Sequence, residues 1–202
     1  MAVLDYLKDP QEIYERSFAI VRAESKLSHV PPSLEPVAVR MIHACGMPEI
    51  AGDLRFDPHI AGAVSDALQA DAPVIADCEA VAAAIMRKTL CTLNDPRTPA
   101  LAKQHKTTRS AAAVRLWPLK GAVIVIGNAP TALFALLELL DAGADQPAAI
   151  IATPVGFVGA AESKQELAQC PRGIPYLTLL GRRGGSAMAA AALNAIARGG
   201  ST

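Results

Sequence analysis

GAVIVIGNAPTALFALLELL, Gly121–Leu140, is the stretch whose reading decides the fold. Its first seven residues hold an unbroken β-branched run between two glycines, the pattern of a strand buried on both faces. Asn128-Ala129-Pro130-Thr131 then opens a helix, with Pro130 in the first turn, where a missing N–H costs little. A strand covered on both sides needs helices above and below it, and the flanking sequence supplies them. Downstream, Ala148–Ala152 is a strand, Pro154–Gly159 a loop and Ala160–Gln169 a helix. Tyr176–Leu180 is a further strand, Gly181–Ser186 a Gly-rich loop, and Ala187–Ala197 an Ala-rich helix. Upstream, Ala72–Asp77 is a short buried strand ending in an acid, followed by a helix over Glu79–Arg87 and a short strand over Thr89–Leu93. Strands alternating with helices at this spacing predict a doubly wound, mostly parallel α/β sheet with helices on both faces, in one domain spanning residues 1–202.

The first seventy residues read less regularly. Asp9-Pro10 opens a helix over Pro10–Glu24 with Ile13, Phe18, Ile20 and Val21 on its apolar side. Pro31-Pro32 breaks the chain. Ser33–Pro48 then reads as a helix with Ser33 as N-cap, Pro36 in the first turn and Gly46 and Pro48 as the stop. Leu34, Val37, Met41, Ala44 and Cys45 form its apolar stripe, while Arg40 and His43, three apart, are neighbours on another face. A fixed cation beside an imidazole suits acid/base work on an anionic substrate; a solvated face, or a structural histidine, explains the same spacing. Glu49–Phe56 is a candidate strand, and Asp57-Pro58 starts a helix to about Ala70.

Composition excludes several classes. Of 202 residues, 51% are hydrophobic and only 4% aromatic, so small aliphatic side chains must fill the core. Nineteen basic residues balance nineteen acidic ones, which argues against a nucleic-acid partner. The N-terminus has charges where a signal peptide needs an apolar run, and Gly127–Pro130 interrupts the longest apolar stretch. The expectation is a cytoplasmic protein with no membrane partner. Cys45, Cys78, Cys91 and Cys170 match no zinc or CxxC spacing and read as reduced thiols. No metal site is expected.

In doubly wound sheets the ligand lies beyond the carboxyl ends of the strands. That rule gathers Asp77, Gly127–Ala129, Pro154–Gly159 and Gly181–Ser186 on one edge, where helix N-termini favour carboxylate or phosphate. The loops GNAPTA and GRRGGS match neither GxGxxG nor GxxxxGK[ST], and no G-x-S-x-G elbow occurs, so nucleotide binding and serine hydrolysis are weakly supported. What remains fits a large, flat polycarboxylate with an apolar middle.

Seven stretches, in order along the chain, carry a resemblance: IYERSFAIVRAES (Ile13–Ser25), VRMIHACG (Val39–Gly46), CTLNDPRTPALA (Cys91–Ala102), TRSAAAVRLW (Thr108–Trp117), VIGNAPTALF (Val125–Phe134), PVGFVGAAESK (Pro154–Lys164) and GRRGGSAMAAAALN (Gly181–Asn194). Together they resemble the precorrin-8X methylmutase family of cobalamin biosynthesis. The resemblance implies a flavodoxin-like sheet, a homo-oligomer (a dimer is favoured) with sites near subunit contacts, and no cofactor. It implies migration of a methyl group from C-11 to C-12 of a corrin precursor, giving hydrogenobyrinic acid. The family's catalytic histidine falls on His43 and its substrate contacts on Ser17 and Arg40. Arg109, Asn128, Ser163, Lys164, Gly184, Gly185 and Ser186 are further pocket candidates, each with a structural alternative: a helix-start charge, a strand-to-helix turn, solvated helix residues, tight-turn residues.

One segment departs from the pattern. After Asp77–Arg87, Ala84 and Met86 stand where relatives carry glycine and threonine, and Lys88-Thr89-Leu90 joins Cys91 without their longer loop. In the family this region approaches the substrate, which makes Met86 and Arg87 pocket candidates. It also raises an alternative function: a corrinoid carrier of the same fold that has lost turnover.

Overall fold

The computed structural model describes residues 4–199. The chain runs through α1 (Pro10–Glu24), α2 (Glu35–Cys45), a 3-10 helix (Pro48–Asp53), β1 (Leu54–Phe56), α3 (Ile60–Gln69), β2 (Val74–Ala76), α4 (Glu79–Ala84) and β3 (Thr89–Cys91). It continues through α5 (Thr98–Gln104), α6 (Arg109–Val114), β4 (Val123–Ile126), α7 (Pro130–Asp141), β5 (Ala149–Ala152), α8 (Ala160–Gln169), β6 (Tyr176–Leu179) and α9 (Ser186–Ala197).

The strands form one sheet in the order β1-β6-β5-β4-β2-β3. Strands β2 to β6 are parallel, and β1 pairs antiparallel with β6 at one edge. The five parallel strands alone have the flavodoxin-like order, in which the direction of winding reverses between β2 and β4. Successive side chains of β4 and β5 point to opposite faces, so each face has its own core. Val123, Val125, Ala149 and Ile151 pack with α1, α2, α3, α4 and α9. Ile124, Ile126, Ile150 and Ala152 pack with α6, α7 and α8. All eight strand side chains are fully buried, as the unbroken apolar run of a central parallel strand requires.

Local chemistry sets the helix ends. Asp9 caps α1, its carboxylate accepting from Glu12 N–H at 2.8 Å. Helix α2 departs from expectation at its start. Pro31–Leu34 form a turn, so Leu34 rather than Ser33 is the cap residue, and no side chain bonds there. Its stop is as expected: Gly46 takes φ +68°, a left-handed conformation open to glycine. The buried stripe of α2 is also broader than its sequence suggests. Val37, Ala38, Val39, Met41 and Ile42 are buried, Cys45 is half-buried and Ala44 is exposed. On α1, Phe18 and Val21 enter the core, whereas Ile13 and Ile20 stay about half exposed. The candidate strand over Glu49–Phe56 is a strand only in its last three residues, because Pro48 starts a 3-10 helix.

Candidate functional site

Helix α1 packs against α2, and this contact assembles the first three candidates. Phe18, 2% exposed, is the platform. The His43 imidazole lies nearly parallel to its ring, with centroids 5.0 Å apart and 18° between planes. The Arg40 guanidinium lies 4.9 Å from the same ring and 5.0 Å from that of Tyr14, and it donates to the Tyr14 hydroxyl. Ser17 Oγ stands 2.9 Å from His43 Nδ1. Three side chains of α1, Tyr14, Ser17 and Phe18, therefore fix the imidazole and the guanidinium that α2 presents, and Nε2 is left as the ring nitrogen with no protein partner among the described residues. Beside them opens a cavity of about 180 Å³ lined by Ser17, Ile20, Val21, Glu24, Ile42, His43, Gly46 and Pro48.

The carboxyl edge of the sheet is built differently. Asp77, at the end of β2, is 2% exposed. Its Oδ1 accepts from Gly127 N–H at 3.0 Å, and its Oδ2 from Asn128 N–H at 3.0 Å and Ala129 N–H at 2.7 Å. Burial pushes its carboxyl above the usual carboxylate range, against the pull of those three donors. This corrects the expectation of a free anion site at the start of α7: the chain's own carboxylate fills it. The N–H of Asn128 is consumed there, and its side chain is exposed.

Beside that joint lies the Gly181–Ser186 loop. Gly185 N–H donates to Thr153 O at 2.8 Å, and Gly156 N–H to Arg182 O at 3.1 Å. A Cβ on Gly184 would sit 2.2 Å from Thr153 O, so Gly184 is there for close approach of two backbones. Ser186, the first residue of α9, has its hydroxyl 3.9 Å from Cys78 Sγ. Arg183 reaches out of the loop to Glu49 (2.9 Å) and Asp53 (2.7 Å), on the 3-10 helix that follows α2. Through that bridge the loop meets the segment whose Pro48 walls the His43 cavity.

Ser163 and Lys164 are not solvated helix residues; both are fully buried. Ala160, Ser163, Lys164 and Leu167 are the inward face of α8, a spacing of i, i+3, i+4 and i+7. Ser163 Oγ donates to Ala160 O at 3.3 Å within its own helix, and Lys164 Nζ donates to the Arg183 carbonyl. Burial pulls the Lys164 ammonium down to about 8, opposed by the nearby charge of Asp53. Arg109 clamps the loop after β3, donating to Leu93 O (3.1 Å) and Asn94 Oδ1 (3.0 Å). Met86 and Arg87 precede β3, which is parallel to β2, so they lie at the amino end of the sheet, apart from the other candidates. Asn194 holds the segment to α9 by donating to Ala84 O and accepting from Met86 N–H. Burial raises Cys45 and pushes Cys91 up to about 11, so neither supplies a thiolate. Among the described residues, no group of three or more His, Cys, Asp and Glu could hold a metal ion, and no helix is long and apolar enough to cross a membrane.

Phe18 is legible as an apolar position of α1, but the site roles of Tyr14 and Phe18 escape a sequence reading because they are exerted by packing. The only sign of them is the run Tyr14-Glu-Arg-Ser17-Phe18, which puts two aromatic rings four apart with Ser17 beside the second.

A model of the precorrin-8X methylmutase family matches residues 12–199. A precorrin-8X methylmutase of Pseudomonas aeruginosa is 53% identical over 204 residues, covering 96% of this chain and 98% of its own. A cobalt-precorrin-8 methylmutase of Priestia megaterium is 34% identical over 197 residues, covering 93% of this chain and 87% of its own. The solved precorrin-8X methylmutase of Thermus thermophilus superposes with a TM-score of 0.82 at 36% identity, covering 93% of this chain and 95% of that one.

Proposed function

The chain belongs to the precorrin-8X methylmutase family and is an isomerase of cobalamin biosynthesis, and from that premise we propose that it converts precorrin-8X to hydrogenobyrinic acid by C-11 to C-12 methyl migration, with His43 as general acid. The observation that carries the reading is the Ser17–His43 pair at the mouth of the cavity. A hydroxyl both donates and accepts. In the proposed scheme it donates to Nδ1 of the neutral ring, the tautomer that carries its proton on Nε2, and it accepts from Nδ1–H of the imidazolium. In either state Nε2–H is the donor offered to a ligand.

Substrate and product are isomers, so a proton lent to the macrocycle must come back. The migrating methyl carbon breaks its bond to C-11 and forms one to C-12 without a protein nucleophile. Hydrogen bonding or proton transfer from Nε2 draws electron density out of the conjugated system as that shift occurs, and Nε2 recovers the proton afterwards. General acid catalysis of this kind contributes roughly 100- to 10,000-fold. Arg40, held against Phe18 and Tyr14, keeps further N–H groups to receive a substrate carboxylate. No cofactor enters the scheme.

A cavity of about 180 Å³ admits one edge of a tetrapyrrole. The rest of the ligand extends over the half-exposed Ile13 and Ile20, and a second copy of the chain, in a homodimer, completes the enclosure. The competing reading, a corrinoid carrier without turnover, draws on the short Met86–Cys91 joint. Absorption spectra after mixing the protein with metal-free precorrin-8X separate the two. The expected result is a shift to the product's spectrum that His43→Ala abolishes. Tight binding with no shift overturns the mutase reading in favour of the carrier, and full turnover by His43→Ala removes His43 from the chemistry.

A further inference from the structure

Lys164 has no part in the proton chemistry above, yet it is a lysine with no exposed surface. Removing an ammonium from water is expensive, and an apolar side chain of similar volume fills such a slot at no electrostatic cost. Its hydrogen bond goes to the backbone carbonyl of Arg183. The nearest counter-charge, Asp53, is held by the Arg183 guanidinium at 2.7 Å. Asp53 is tied to the sheet as well, its carbonyl accepting from Leu180 N–H at 2.9 Å.

These contacts form a continuous chain. Helix α8 supplies Lys164, which fixes the backbone of Arg183 from inside. Arg183 then grips Glu49 and Asp53 from outside. The 3-10 helix carrying those acids begins at Pro48, a wall of the His43 cavity. The neighbouring residue, Arg182, has its carbonyl held by Gly156 N–H and its guanidinium 5.2 Å from the ring of Phe157, itself 86% exposed. Arg182 makes no ion pair with a described residue, which leaves it able to receive an anionic group.

We propose that Lys164 is a positioning residue for the substrate: by holding the Arg183 carbonyl it sets the arginine loop, and through the Arg183–Glu49–Asp53 bridge it keeps the Pro48 wall against the His43 cavity. The ligand it serves is the polycarboxylate macrocycle of the reading above, on which this inference rests. Substrate binding and chemistry should separate in its variants.

The test is a double-mutant cycle of Lys164→Met and Arg183→Ala on precorrin-8X turnover. Each single variant should raise KM by about tenfold or more while kcat stays within about threefold, and the double variant should be no worse than the poorer single one, because both break one linkage. Additive effects, or an unchanged KM in Arg183→Ala, overturn the proposal; so does a loss of kcat at constant KM. Arg183 is partly exposed, so its variant remains informative even where Lys164→Met does not fold. Affinity for hydrogenobyrinic acid, followed by its visible absorption, is measured in parallel. A wild type that binds without turnover sinks the mutase reading, while the same cycle on affinity still decides the role of Lys164.

Discussion

Two regions of this molecule offer a ligand site, and they are built on opposite logic. The crevice between β2 and β4 is where a doubly wound sheet conventionally binds its ligand. Here its three N–H donors close on Asp77, leaving a structural joint in place of a vacancy. The corner between α1 and α2 has no such generic claim, yet it holds an imidazole and a guanidinium fixed on one aromatic ring, with a cavity alongside. One region spends its polar groups on itself and the other keeps a donor unspent. A fold rule locates places where backbone donors converge; whether they are available depends on which side chain reaches them first.

The contrast makes predictions in descending size. His43→Ala should lower turnover by roughly 100- to 10,000-fold and leave the urea midpoint unchanged, as for a proton donor in an otherwise intact site. Asp77→Ala should do the reverse. Three buried N–H groups lose a charged acceptor, so unfolding by urea should show a loss of about 3 kcal/mol, with little change in turnover per folded molecule. Turnover abolished at full stability would move the chemistry to the crevice and break the contrast. Ser17→Ala should cost about tenfold in kcat, since the ring keeps its Phe18 stack and loses one hydrogen bond. The last effect, read on stability alone, is a pH tilt. The Lys164 ammonium lies at about 8 when folded and near its ordinary 10.5 when unfolded, so the unfolded chain binds more protons between those values. Wild type should therefore gain stability relative to Lys164→Met as pH rises from about 8, a difference that thermal melts at pH 7 and pH 10 would measure.

Much of this architecture is legible in the residues. Helices Pro10–Glu24 and Ala160–Gln169 have the bounds their sequence predicts, the first opened by Asp9-Pro10. The β4–α7 unit follows directly from its apolar run. Two kinds of information were hidden. Ser33 does not cap because it lies inside the Pro31–Leu34 turn, where Pro31 O captures the N–H groups of Leu34 and Glu35. The Asp77 cap joins residues some fifty positions apart, beyond the reach of any local motif. The charge of Lys164 suggests a solvated position, whereas the spacing Ala160, Ser163, Lys164, Leu167 puts it on the inward face. His43 stood out by its neighbour Arg40, but its pairing with Ser17 depends on how α1 crosses α2, which is a property of the packed molecule.

The order in which this chain is made gives the α1–α2 corner an unusual history. Helix α2 packs chiefly on α9, and β1 pairs with β6, so the residues that carry His43 rest on elements synthesised about 130 or more residues after them. At ribosomal speeds of about 5–20 residues per second, the first fifty residues wait some ten seconds or more for their partners to emerge. During that interval the face of α2 that α9 covers in the finished fold stays open. Nascent chains shortened before α9 should accordingly lack an ordered α1–α2 corner while β2, β4 and β5 can already pair, so the molecule acquires its scaffold first and that corner only once α9 has emerged.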